Sequence, residues 1–289
     1  MLKNGAKNIM SLFSKRKKLI IGGCSYTANY ARQAKLTEFP LWGEILAEKL
    51  DMDLINLGQC GYGNQAIYTT LIEKTLEQKN IGLVVALWSE VQRVSFYGNH
   101  GEDKNYWECF LPERVVLDAN WHDWFYQQRN RGRAAALGGN AFKKNPKKES
   151  ISYKISIVLQ AHRTISHAVI ESVNYFYSFQ SICENLNVPY LQAQGCNPIT
   201  APGRHRSPHK NIQYVFSDTI ISRPHDMTKN FIGWPIAKNI GGFSMSDILN
   251  KYDPERINLR ISSEDSHPNA EGHKLIAEIF YDEYEKNNG

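Results

Sequence analysis

Three short apolar runs, each ending at glycines or at a polar turn, strongly restrict the folds open to this chain. The runs cover 19–23, 53–58 and 82–88. Between them, segments 40–50 and 65–78 place their apolar residues three or four apart, the spacing of one helical face. Short apolar strands that alternate with helices are typical of a parallel sheet covered on both faces. We therefore predict an α/β protein built on a doubly wound parallel sheet.

The rest of the chain continues this pattern with two interruptions. Residues 151–187 have the spacing of a long helix, and 188–193 read as a fourth strand. Two large insertions, about 89–150 and 196–250, lack such regularity, and long irregular segments are usually functional or mobile. The predicted organisation is an N-terminal arm over 1–17 followed by one domain over 18–289 that carries both insertions.

Composition excludes several classes of protein. The formal charge of +5 over 289 residues is too small to favour nucleic acid as a partner. The five cysteines contain no CxxC pair, and the histidines of 196–250 do not have ligand spacing, so we expect neither disulfides nor a metal. No stretch has the apolar length of a signal sequence or a membrane span. We expect a soluble cytoplasmic protein without a membrane partner.

Polar residues at the ends of the predicted strands suggest a reaction. Ser25 follows the first run, and a glycine-rich segment, 58–64, follows the second. Near the end of the chain, Asp265 precedes His267 by two positions, and Pro268 suits the first turn of a last helix. A serine hydroxyl needs an oriented base to become a nucleophile, and glycine-rich loops offer free N–H groups to a developing oxyanion. These residues would meet at the carboxyl edge of the sheet.

Four blocks of sequence resemble one known family, the SGNH/GDSL hydrolases. The resemblance implies a three-layer, flavodoxin-like fold and a serine esterase activity without a cofactor. The last block, with the form Asp-x-His-Pro-Asn-x-x-Gly-His, is the most specific, and the order of the blocks also matches. The four blocks are residues 23–26, 56–64, 88–93 and 265–273.

The resemblance assigns a role to individual residues. Ser25 would be the nucleophile and His267 the base, with Asp265 as its orienting acid and Glu264 as the alternative acid. The N–H groups of Ser25 and Gly61 would form the oxyanion hole.

Two positions depart from the family. Cys24 stands where the family has an aspartate, and Ser89 where it has an asparagine that donates to the oxyanion. A lost oxyanion donor costs about 10²–10³-fold in rate. The Asn64 amide or the Ser89 hydroxyl would have to replace that donor.

Two further site neighbours are left with open roles. Arg93 either lies near the pocket or forms a structural ion pair. A thiol nucleophile at Cys24, or a redox pair of Cys24 with Cys60, is an alternative to the serine, whereas small buried side chains are the simpler interpretation of both cysteines.

The sequence thus predicts an esterase that acts on a small-molecule or carbohydrate ester, in particular an O-acetyl group on a sugar. A second hypothesis is a hydrolase-fold protein that has lost catalysis and serves as a binding or structural component, for example of a viral particle or a surface-polysaccharide system. A third is nucleic-acid binding through the basic residues of 129–148, which would show a steep salt dependence.

Overall fold

A computed structural model of the protein describes residues 16–99, 105–111, 158, 163–199, 210–222, 227 and 229–288. In chain order the strands are β1 (Lys18–Gly23), β2 (Asp53–Asn56), β3 (Ile81–Trp88), β4 (Val94–Asn99), β5 (Asn105–Phe110), β6 (Tyr190–Gln194) and β7 (Phe231–Ile232). The helices are α1 (Tyr30–Gln33), α2 (Trp42–Lys49), α3 (Asn64–Glu77), α4 (Ile165–Asn185), α5 (Lys210–Ile221), α6 (Met245–Tyr252) and α7 (Ala270–Asn288).

Five strands form one sheet in the order β2-β1-β3-β6-β7, and every neighbouring pair in it is parallel. This is the flavodoxin-like order, in which the chain starts near the centre and winds first to one edge and then to the other. The change of direction occurs between β1 and β3, whose carboxyl ends therefore flank a crevice. The predicted α/β class and doubly wound parallel sheet are confirmed.

The sheet separates two hydrophobic cores, and successive residues of a strand point to opposite sides. Ile20 lies in the core that α3, α4 and α5 cover, whereas Leu19 and Ile21 lie in the core that α2, α6 and α7 cover. All three side chains are fully buried. Burial on both faces explains why β1 and β3 are continuous apolar runs rather than alternating ones.

The two segments that were predicted to be irregular contain regular structure. In the segment 89–150, β4 and β5 pair as an antiparallel hairpin. In the segment 196–250, β7 joins the edge of the main sheet beside β6, and α5 and α6 cover its two faces. These parts of the two segments are therefore regular, and β7 of the second segment extends the main sheet at its edge. The boundaries of the domain and of the N-terminal arm stay a prediction.

The long helix predicted over 151–187 is α4, and the structure describes it from residue 165. Its start is set by Thr164, whose hydroxyl accepts a hydrogen bond from the His167 N–H at 3.1 Å. Over the described ranges, no helix has both the length and the apolar character that crossing a membrane demands. The basic residues of 129–148 and the three histidines of 205–225 lie outside the described residues.

Candidate active site

Ser25 lies in a tight turn directly after β1, at the carboxyl edge of the sheet. The carbonyl of Cys24 accepts hydrogen bonds from the N–H groups of Thr27 at 2.9 Å and Ala28 at 3.0 Å, and this closes the turn. Asn56, at the end of β2, donates its side-chain amide to the carbonyl of Thr27 at 2.9 Å. Ser25 is half-buried at the surface of this turn. The two strand ends thus hold the serine in place while its hydroxyl stays within reach of solvent.

His267 lies in the connection between α6 and α7, which folds back on itself. Arg260 and Pro268 form an isolated antiparallel bridge, and the N–H of Ile261 donates to the carbonyl of His267 at 2.9 Å. This short hairpin brings the imidazole over the turn that carries Ser25.

The three predicted triad residues form one continuous chain of hydrogen bonds. The Ser25 Oγ and the His267 Nε2 lie 2.8 Å apart, and the His267 Nδ1 lies 2.5 Å from Asp265 Oδ1. The backbone N–H of His267 also donates to Asp265 Oδ1, at 3.0 Å. Glu264 is exposed, so the acid that contacts the imidazole is Asp265.

The surroundings of Asp265 keep its carboxyl group ionised. Partial burial alone would raise the pKa of Asp265, but the hydrogen bond and the positive charge of His267 lower it, helped by the hydroxyl of Tyr30. The net result is a pKa of Asp265 below its ordinary range. An ionised carboxylate at this position can hold the Nδ1–H tautomer of His267, which leaves Nε2 free to accept the proton of Ser25.

Two tyrosines from the segment that follows Ser25 enclose the imidazole. The ring of Tyr30 stacks on the ring of His267 with 3.5 Å between the centroids and 15° between the planes. The ring of Tyr26 meets His267 edge-on at 5.8 Å. The Tyr30 hydroxyl also donates to Asp265 Oδ2 at 2.9 Å.

A buried arginine fixes the connection that carries His267. Arg260 is 1% exposed, and its guanidinium donates to the Tyr26 hydroxyl at 2.8 Å and to the carbonyl of Ser266. It also donates to the side chains of Ser246 at 3.0 Å and Asn250 at 2.9 Å, both on α6. Since the Tyr26 hydroxyl itself donates to the Ser266 carbonyl at 2.9 Å, Arg260 connects the turn after β1, α6 and the residue before His267.

Backbone N–H groups are available beside Ser25. Gly61 has φ of +91°, a left-handed conformation that favours glycine. Within the described part of the chain, no hydrogen bond occupies the N–H of Gly61 or that of Ser25. Both groups can therefore donate to an anion.

The side chains of Ser89 and Asn64 are not directed to the N–H groups of Ser25 and Gly61. Ser89 is fully buried and donates its hydroxyl proton to Glu90 at 3.0 Å. The Asn64 amide accepts from the Ser89 N–H at 2.8 Å and donates to the Ser172 hydroxyl at 3.0 Å, with 2% of the residue exposed. The expectation that either side chain replaces the missing oxyanion donor is corrected, because both belong to a buried network under the site.

Arg93 combines both of its predicted roles. It forms an ion pair with Glu90, and its Nη1 lies 3.8 Å from the place where a Cβ of residue 61 would be. Burial alone would lower the pKa of Arg93, but the Glu90 carboxylate raises it above its ordinary value. Arg93 therefore stays charged directly behind the Gly61 turn.

Arg93 also lines a cavity of about 210 Å³ next to Arg163 and Tyr175. None of the three triad residues lines this cavity.

Cys24 lies underneath the turn that carries Ser25 and is 2% exposed. A hydrogen bond with Cys196 lowers the pKa of Cys24 to about 6, and the charge of Arg93 helps, whereas burial opposes the shift. The same hydrogen bond raises the pKa of Cys196 well above its ordinary value. Neither cysteine forms a disulfide. The hydrogen-bond partner of Cys24 is Cys196, which the sequence did not indicate. The burial of Cys24 keeps its sulfur away from a substrate carbonyl.

Sequence reasoning did not identify Tyr26, Tyr30 or Arg260 as parts of the site. The only signal was the position of the two tyrosines, one and five residues after Ser25. Arg260 lies well before the last block and has no motif of its own, so the sequence contained no signal for it.

No protein-family model and no curated protein matches the chain. Solved structures that are similar to it include a psychrotrophic esterase, EstA, from a Pseudoalteromonas species, at 15% identity over 93% of this chain and 97% of that one, with a TM-score of 0.42. A mutant of the acetylxylan esterase Axe2 from Geobacillus stearothermophilus is 11% identical over 93% and 94% of the two chains, also with a TM-score of 0.42. A protein described as lipolytic and of the G-D-S-L family, from Desulfitobacterium hafniense, is 13% identical over 93% and 98%, with a TM-score of 0.41. The proteins to which this chain is similar are thus esterases and lipolytic proteins of the G-D-S-L family.

Proposed function

We propose that the protein is a serine esterase of the SGNH type, in which Ser25 attacks an ester carbonyl. The observation that carries this proposal is the hydrogen-bonded chain from Ser25 Oγ through His267 to Asp265, with distances of 2.8 Å and 2.5 Å. Nucleophile, base and orienting acid in this geometry are the minimum that acyl transfer through a serine requires.

In the first half of the reaction, His267 Nε2 takes the proton of Ser25 as the oxygen attacks the carbonyl carbon. The carbonyl oxygen becomes an oxyanion, and the free N–H groups of Ser25 and Gly61 stabilise it. Asp265 stabilises the imidazolium that forms and keeps its orientation. When the tetrahedral intermediate collapses, the C–O bond to the alcohol breaks, and the alcohol leaves with the proton that His267 returns.

In the second half, water takes the place of the alcohol. His267 removes a proton from the water while its oxygen attacks the acyl carbon on Ser25. The second intermediate collapses, the bond to Ser25 Oγ breaks, and the proton on His267 returns to Ser25. The carboxylic acid leaves, and the enzyme is restored without a cofactor.

We propose an O-acetyl group on a carbohydrate as the substrate. This choice rests on the resemblance of the sequence blocks to the SGNH family. Acetate release from acetylated xylan, compared with hydrolysis of p-nitrophenyl acetate and p-nitrophenyl butyrate, tests it. A preference for the butyrate ester and no acetate release from xylan would exclude this substrate class but leave the esterase proposal standing.

A fluorophosphonate probe tests the role of Ser25 directly, because an activated serine displaces fluoride from phosphorus and becomes covalently labelled. We expect the wild type to be labelled and Ser25→Ala to stay unlabelled, with p-nitrophenyl acetate hydrolysis reduced about 10³-fold or more. Ser222→Ala is the matched control, since Ser222 is an exposed serine in the turn after α5. Labelling that persists in Ser25→Ala would refute the proposal.

One observation favours a second candidate, a binding protein that has lost catalysis. The hydroxyl of Ser89, at the position of the oxyanion-binding asparagine of the resembled family, is buried and committed to Glu90. A wild type that hydrolyses no ester and resists the probe, but binds an acidic polysaccharide, would support this candidate. Rapid turnover of any acetyl ester would rule it out.

A further inference from the structure

We infer that Tyr30 is a positioning residue of the Ser25–His267–Asp265 relay, acting on the acid through its hydroxyl and on the base through its ring. The inference rests on the proposed serine esterase function and adds a fourth side chain to it. The effect of Tyr30 on the attack by Ser25 passes through its contacts with Asp265 and His267.

The hydroxyl of Tyr30 determines how Asp265 is oriented. It donates to Asp265 Oδ2 at 2.9 Å, while Oδ1 accepts from the ring and the backbone of His267. Each carboxylate oxygen thus has its own donors, and rotation of the carboxylate would break bonds on both sides. Without the Tyr30 hydroxyl, Oδ2 would lose its protein donor, and the carboxylate could turn away from the imidazole.

The ring of Tyr30 determines how His267 is oriented. Its centroid lies 3.5 Å from that of the imidazole, with the planes only 15° apart, so one face of the imidazole is covered. Tyr26 meets the same ring edge-on, at 61°. Together the two tyrosines prevent the imidazole from swinging about its Cβ–Cγ bond. The face of an aromatic ring also attracts a cation, and this favours the imidazolium that forms during attack.

The position of Tyr30 in the chain couples the nucleophile to the base. Tyr30 opens α1 five residues after Ser25, and its N–H donates to the carbonyl of Ala28 at 2.7 Å. Asn29 caps this short helix by accepting from the Arg32 N–H at 3.0 Å. One short segment therefore carries the attacking oxygen and also the side chain that orients the base, so the two cannot drift apart independently.

Two variants separate the two contacts. Tyr30→Phe keeps the stacking and removes the bond to Asp265, whereas Tyr30→Leu removes both. Tyr190→Phe is the matched control. Tyr190 lies on β6, outside the relay, and its hydroxyl also donates to a carboxylate, that of Glu184 on α4, at 2.8 Å. Circular dichroism and thermal melting establish that each variant is folded before its kinetics are compared.

We expect Tyr30→Phe to lower kcat for p-nitrophenyl acetate about 5- to 20-fold, less than the full effect of one hydrogen bond to a charged group, because this bond orients the acid and acts on the attack only through His267. Tyr30→Leu should lower kcat about 10²-fold, because the base is then misplaced as well. KM should change by less than about 3-fold in both, since neither contact binds the substrate. Tyr190→Phe should keep the wild-type kcat.

Proton NMR gives a second readout that does not need turnover. The His267 Nδ1 proton in the short bond to Asp265 should resonate far downfield. We expect this signal to move in Tyr30→Phe, to be lost by exchange in Tyr30→Leu, and to stay in place in Tyr190→Phe. A Tyr30→Phe variant with the wild-type signal and the wild-type kcat would overturn the inference.

The two readouts distinguish failure of this inference from failure of the proposed function. If the wild type is active and Ser25→Ala is not, but both Tyr30 variants match the wild type, only the role of Tyr30 is refuted. If the wild type hydrolyses no ester, the esterase proposal fails, and the NMR signal alone decides whether Tyr30 orients the pair of His267 and Asp265.

Discussion

Asp265 and Glu264 are adjacent carboxylates in different surroundings, and this difference leads to a prediction. Only Asp265 contacts the His267 ring, at 2.5 Å, whereas Glu264 is exposed. We expect Asp265→Asn to lower kcat/KM for p-nitrophenyl acetate about 10²–10⁴-fold, because the carboxylate no longer holds the Nδ1–H tautomer or stabilises the imidazolium. Glu264→Gln removes the same charge one residue away and should change kcat/KM by less than about 3-fold. The reverse pattern would make Glu264 the acid.

The position of each triad residue could be predicted from the sequence, but its surroundings could not. Ser25 follows an apolar strand and His267 precedes a helix, so the topology of a parallel sheet places both at one edge. The hydroxyl of Ser89 was wrongly expected to face the substrate. Its direction depends on Glu90, which accepts its proton inside the protein. The presence of a serine in the sequence does not show which neighbour accepts the hydrogen bond of its hydroxyl.

At the scale of elements, the contact between α2 and β1 is close enough to be tested. A Cβ on Gly43 of α2 would lie 2.1 Å from the Cδ1 of Ile21, whereas the next neighbour, Ile21 Cγ1, is at an ordinary 3.5 Å. We expect Gly43→Ala to destabilise the fold by about 1–3 kcal/mol through overpacking, partly offset by the better helix propensity of alanine. Ile21→Val removes the clashing methyl group.

A double-mutant cycle measured by urea unfolding isolates this contact. Ile21→Val alone should cost about 0.5–1.5 kcal/mol. The double variant should lose less free energy of unfolding than the two single variants lose together, by about 1 kcal/mol or more. Additive effects would mean that α2 moves away from β1 instead of packing tightly against it.

The elements that sequence patterns missed are those that gain their stability from neighbours. β7 has only two residues, Phe231 and Ile232, and it is a strand because β6 pairs with it. Strand β4 of the hairpin is also stabilised by its partner strand, since among the described residues β4 pairs with β5 and with no other strand. β7 is too short to form an apolar run like those of β1 and β3, and polar residues interrupt the apolar ones in β4 and β5.

For the molecule as a whole, His273 should make the stability depend on pH. It is 2% exposed, its Nδ1 accepts from the backbone N–H of Trp42 at 3.2 Å, and burial lowers its pKa to about 3, helped by the charge of His267. Between this value and the ordinary histidine pKa of about 6.5, the unfolded chain binds more protons than the folded one. The buried His273 therefore does not lower the free energy of unfolding above about pH 6.5. Below that pH the free energy of unfolding falls, by about 2–3 kcal/mol at pH 4.5.

His273→Asn provides the comparison, because the asparagine oxygen can accept the Trp42 N–H but does not titrate. Urea unfolding of both proteins at pH 7.5 and pH 4.5 gives the free energies. We expect the wild type to lose about 2–3 kcal/mol more than the variant between these two pH values. Equal losses in the two proteins would contradict the assignment of a low pKa to His273.

The hydrogen bond between Ser25 and His267 joins residues that are 242 positions apart. During synthesis on the ribosome, the serine therefore emerges well before the imidazole. A nascent or truncated chain that stops before His267 therefore carries a serine without a base, no more reactive than a serine in water. Labelling of Ser25 by the fluorophosphonate probe would then report that the segment carrying His267 has been made and has docked on the sheet edge.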